Sequence, residues 1–113
     1  MHEQSIVENL LALALENAQK ANAVKIHKIN VVIGELSGAV DESMDFYFSF
    51  LRKGTIAEEA VLSYRHVPAE LQCRKCKRVF LGKDTDFRCP DCKEAEVDIV
   101  GGRELYLESL EVE

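Results

Sequence analysis

A chain of 113 residues has room for one compact core with a small satellite, and not for two independent ordinary domains. Its composition is globular, 47% hydrophobic and 30% charged with two prolines and six glycines, which argues against a disordered or fibrous chain. The net charge of −6, with no long run of lysines or arginines, leaves a poor electrostatic basis for holding phosphate backbones, so no nucleic-acid partner is expected.

Residues 4–20, "QSIVENLLALALENAQK", repeat apolar side chains at helical spacing, with Ile6, Leu10 and Leu13 on one stripe and Val7, Leu11, Ala14, Leu15 and Ala18 widening it. Ser5 followed by Glu8 matches a capping box, which starts this helix just after the terminus and leaves "MHE" outside it. Its apolar run, "LLALAL" at 10–15, is far short of a membrane span and lacks secretory flanks, so no membrane association and a cytoplasmic location are expected. Next, "VKIHKINVVIGE" is dense in β-branched residues, with Ile29, Val31 and Ile33 in one phase of a strand that stops at Gly34. The loop "GELSGAV" leads to Asp41, the expected N-cap of a helix over "ESMDFYFSFLRK" whose Met44, Phe48 and Leu51 face the core. Residues 61–67, "VLSYRHV", read as a second strand bordered by Pro68, and "RELYLESLEVE" alternates again as a third. His27 and His66 lie on these strands and read as packed or partly exposed strand residues, outside any metal site.

Between the last two strands the chain changes character. Residues 71–102 hold all four cysteines and too few large apolar residues to form a core unaided. Cys73 and Cys76 in "CRKC", then Cys89 and Cys92 in "CPDC", are two chelating turns separated by twelve residues. Four thiolates brought together in this way suit a closed, structural zinc ion. A reducing compartment disfavours disulfides, and the βαβ setting of a thioredoxin-like redox pair is absent. An iron–sulfur or rubredoxin-like centre stays open. Arg74, Lys75, Lys77, Arg78, Lys83, Arg88 and Lys93 crowd around the cysteines, which keeps a zinc-ribbon adaptor as the competing reading.

The fold class expected is α+β: a small three-stranded sheet with two helices, plus an inserted Cys₄ zinc-ribbon-like domain. Residues 1–68 form the first part of the main domain, 69–102 the zinc-binding domain, and 103–113 a final strand that returns to the main sheet. No nucleophile-and-base constellation, phosphate loop or open-site zinc motif is present in the sequence, so no catalysis is expected.

"MHEQS" at the start, "IGELSG" at 33–38, the paired C-x-x-C motifs and "GGRELYLESLEVE" at the end together resemble the HypA/HybF family of hydrogenase maturation nickel chaperones, over essentially the whole chain. The resemblance implies a nickel-binding α/β domain that carries the terminus, a structural zinc domain, and delivery of Ni(II) to the precursor of the [NiFe] hydrogenase large subunit. It also implies work beside the GTPase HypB and, in some organisms, a role with urease maturation proteins. The chemistry of "MHE" suits that role. The Met1 amine, the His2 amide nitrogen and imidazole, and the Glu3 amide nitrogen form adjoining chelate rings in one plane, a field that Ni(II) accepts and Cu(II) accepts at least as well. The Glu3 side chain and Asp41 are further oxygen candidates for a six-coordinate alternative. A zinc site whose geometry changes with nickel or acid would require different affinities in two states.

Overall fold

The computed structural model describes residues 3–113. In chain order these form α1 (Glu3–Lys20), β1 (Ile26–Gly34), α2 (Asp41–Leu51), β2 (Val61–Val67), β3 (Glu70–Cys73), β4 (Val79–Leu81), the single turn α3 (Gly82–Thr85), β5 (Val97–Gly101) and β6 (Leu105–Val112). The strands make two three-stranded sheets, ordered β2-β1-β6 and β4-β3-β5. The architecture is thus the expected α+β class, and the last strand does return beside the first. By compactness one unit runs to Val32, resumes over Gly38–Arg65 and closes with Tyr106–Glu113, while the other comprises Ile33–Ser37 and His66–Leu105. The cysteine-bearing unit therefore extends a few residues past 69–102 at both ends and also takes in the "GELS" loop.

β1 is the central strand of its sheet, with Ile26, Ile29, Val31 and Val32 buried in the first unit and Ile33, already part of the second, buried as well. Alternation fades toward its end, where Val31, Val32, Ile33 and Gly34 are buried in succession. His27 is exposed, with Nε2 2.8 Å from Glu113 Oε1, and Asn30 Nδ2 donates to Ser109 Oγ at 3.0 Å. α1 packs on α2, and the buried side of α1 lies within the apolar face expected, shifted away from Leu13. Val7, Leu10, Leu11, Ala14 and Ala18 face inward, whereas Leu13 is 47% exposed.

Both expected helix caps are corrected. α1 already includes Glu3, so Ser5 lies within its first turn, and Gln4 Nε2 donates to Glu8 Oε1 at 3.2 Å. α2 is preceded by Val40 in extended conformation with no side-chain cap, and Asp41 is its first helical residue. There the carboxylates of Asp41 and Glu42 complement the positive end of the helix dipole instead of capping it.

In the second unit β3 is central, antiparallel to both neighbours, with Leu71 opposite Phe80 on β4 and Ile99 on β5. Leu71, Phe80, Cys73 and Cys89 are its buried cluster, with Cys92 and Val97 packed against it. Two of the four buried members are cysteines, so the apolar core is very small. The "GELS" loop is tied into this unit by backbone hydrogen bonds. Gly34 N–H donates to the Glu104 carbonyl at 2.6 Å, Glu35 N–H to Val67 at 2.8 Å and Leu36 N–H to Gly102 at 2.6 Å. The Glu35 carboxylate accepts from the Ala69 amide at 2.7 Å. A Cβ on Gly34 would lie 2.2 Å from the Gly102 carbonyl oxygen, and Gly102 itself has φ +104 with Ala69 Cα 2.7 Å from its missing Cβ. Both glycines are demanded by backbone crossing backbone.

Candidate metal centre

The two C-x-x-C turns are built alike. Cys73 N–H donates to the Arg78 carbonyl at 2.9 Å and its own carbonyl accepts from Lys77 at 2.9 Å; Cys89 N–H donates to Glu94 at 3.0 Å and its carbonyl accepts from Lys93 at 2.8 Å. The residue after each second cysteine, Lys77 with φ 68 and Lys93 with φ 62, turns the chain through the left-handed region. The repeated pattern Cys-x-x-Cys-Lys, in "CRKCKR" and "CPDCKE", was the available sequence signal for these two residues. Each turn buries its first cysteine and leaves its second at the surface: Cys73 and Cys89 are buried, Cys92 is half-buried and Cys76 exposed.

All four sulfurs lie within 4.8 Å of one another, and Cys76 Sγ and Cys89 Sγ are 3.6 Å apart. Four thiolates at ~2.3 Å from one tetrahedral ion are separated by about 3.8 Å, so the donor set fits a single ion of that size. Its electrostatics favour the same conclusion. The Cys76 amide donating to its sulfur draws the Cys73 thiol down to about 7, against an ordinary 9.0. The Cys76 side chain, then burial, pushes Cys92 up to about 12, and Cys76 is also raised. Several thiolates this close repel one another. A dication removes the conflict, and no open position is left once four sulfurs bind it.

The surrounding cations are partly committed. Arg74 Nε donates to Asp98 at 2.9 Å and Arg78 to Asp91 at 2.7 Å. This weakens the basic-knuckle reading, because two of its arginines already meet carboxylates.

Of the nickel candidates, Met1 and His2 lie outside the described residues. Glu3 is the first described residue of α1, and its amide is among those that a helix ladder leaves without an i−4 carbonyl. Asp41 opens α2, half-buried, and its carbonyl accepts from the Tyr64 hydroxyl at 3.4 Å. That hydroxyl also donates to Asp45 Oδ1 at 2.7 Å, and burial with this bond raises the Tyr64 pKa well above its ordinary value. No helix among the described residues is long and apolar enough to cross a membrane.

Fold and site define an α+β protein in which a tetrathiolate centre is built into a small second sheet. Comparison with known proteins makes the class specific. The family model described as "Hydrogenase/urease nickel incorporation, metallochaperone, hypA" matches residues 1–112. The chain is similar to hydrogenase maturation factor HypA of Caldanaerobacter subterraneus, 42% identical with all of both chains covered. It is 39% identical to HypA of Dehalococcoides mccartyi strain 195 over all of this chain and 95% of that one. The solution structure of the Ni metallochaperone HypA from Helicobacter pylori matches with a TM-score of 0.69 at 34% identity, covering 99% of this chain and 97% of that one. The chain belongs to the HypA family of hydrogenase-maturation nickel metallochaperones, which are maturation factors and not catalysts.

Proposed function

We propose that this chain carries Ni(II) at its N-terminus and keeps Zn(II) permanently in the tetrathiolate centre, delivering nickel to the [NiFe] hydrogenase large-subunit precursor. The observation that carries the reading is Glu3 as the first described residue of α1. Glu3 is at the helix start, so its amide is not consumed by the ladder, and the dipole there favours the negative charge that metal-displaced amide protons leave behind. The Met1 amine, the His2 amide and imidazole, and the Glu3 amide complete four nitrogens. The Glu3 carboxylate and Asp41 are the oxygen candidates for a six-coordinate form. Zinc, held by Cys73, Cys76, Cys89 and Cys92, supplies the folding free energy that the small second core lacks.

The two sites suit different tasks. Four thiolates hold zinc as a fixture, whereas amine and imidazole, with free pKa values near 8 and about 6.5, give up nickel on modest acidification or to a competing ligand. HypB, as the GTPase partner, and the urease maturation proteins, as alternative recipients, complete the cytoplasmic role that family membership supports.

Titration calorimetry with Ni(II) tests this on zinc-loaded protein with a native, untagged terminus, beside His2→Ala and a form extended by one residue before Met1. Both changes should abolish tight nickel binding with zinc and helicity intact. Equal binding by all three would place the cargo elsewhere and favour the zinc-ribbon adaptor.

A further inference from the structure

The outward side of α2 carries an aromatic stripe that no described residue fully covers. Phe46 and Phe50 are 58% and 55% exposed. Their rings meet edge to face with centroids 5.1 Å apart, and Tyr47 packs against Phe46 at 5.4 Å. The buried residues of the helix, Met44 and Phe48, belong to its other side. Residues three and four apart share a helix face, so Glu42, Phe46, Phe50 and Lys53 form one line, acidic at its start and basic just past its end. Glu42 and Lys53 are both exposed, and the Lys53 ammonium lies 5.7 Å from the centroid of Phe50.

This line is its own complement. The midpoint of Phe46 and Phe50 falls at residue 48, and that of Glu42 and Lys53 between 47 and 48, a mismatch of about 0.75 Å along a helix. A two-fold axis there sets Phe46 against Phe50 of the partner subunit and Glu42 against Lys53 of the partner subunit. We propose that the α2 stripe is a self-association surface, on which a second copy of this chain docks antiparallel. Parallel docking would set acid on acid, whereas the antiparallel form satisfies both charges and removes four rings from water. Two rings per copy make a small interface, so the dimer is weak and concentration-dependent.

Sedimentation equilibrium of the full, zinc-loaded chain from ~5 to ~500 µM, the range a small interface demands, tests the proposal. Self-association is expected within that range, weakened at least about tenfold in Phe46→Ser/Phe50→Ser, whose exposed positions leave the core intact. Glu42→Lys and Lys53→Glu should each weaken it, and the double variant should recover to within about twofold, because the same pairs reform with signs exchanged. Circular dichroism and zinc content confirm that each variant folds. A chain that stays monomeric throughout, a dimer indifferent to Phe46 and Phe50, or a double charge variant no better than the single ones overturns the proposal.

Discussion

The two units solve the same stability problem by different means. The first buries a large apolar set, Val7, Leu10, Ala14, Ile26, Ile29, Val31, Met44 and Phe48, all at 6% exposure or less. In the second, the buried cluster around the cysteines has two large apolar side chains, Leu71 and Phe80, beside Cys73 and Cys89 themselves. One is held by area removed from water; on the function proposed here, the other depends on a metal held by its own core cysteines. A small sheet can therefore be ordered with little hydrophobic mass, provided its cysteines are core and ligand at once.

The sharpest way to break this comparison is to remove the metal. Chelation, or Cys73→Ser with Cys89→Ser, should abolish zinc binding and forfeit stabilisation on the order of 10 kcal/mol. Hydrogen exchange followed by mass spectrometry should show protection lost at β3 and β5 and retained at α1 and the middle of β1. Protection that survives at Leu71 and Ile99 would make the small apolar cluster sufficient, and the contrast would fail.

The mirror experiment is Ile29→Ala, which opens a cavity in the first core and should cost about 2–5 kcal/mol of that unit's stability. Zinc stoichiometry should remain at one per chain. A simultaneous loss of zinc would mean that the units do not fold on separate terms.

Gly102→Ala is expected to cost a comparable amount, roughly 2–5 kcal/mol from overpacking together with its positive φ. Its signature is a lower unfolding midpoint for the second unit alone. Smallest is Lys93→Gly, which relieves a left-handed residue and should stabilise by up to about 1 kcal/mol, read as slower zinc loss to a chelator. Faster loss would show that the lysine side chain itself matters there.

The same contrast explains what could be read from the sequence. Alternation in Ile29, Val31 and Ile33 and the cysteine spacing are local signals, and each led to its element or cluster. The apolar face of α1 was legible in outline, Ala14 and Ala18 included, and only the exposure of Leu13 departed from it. The cap assignments failed at Ser5 and Asp41 because the chain becomes helical before a side-chain cap is needed. "GELSG" was legible only as a turn and a family signature. Its partners, Val67, Ala69, Gly102 and Glu104, lie more than 30 residues away and no local pattern announces them. Those contacts show the motif tying strand ends together.

X-ray absorption at the zinc and nickel edges, on native-terminus protein holding one equivalent of each metal, tests the division of labour most directly. The account predicts zinc with four sulfurs at ~2.3 Å and nickel with nitrogen and oxygen neighbours only. Sulfur around nickel, or nitrogen replacing sulfur around zinc, would contradict it.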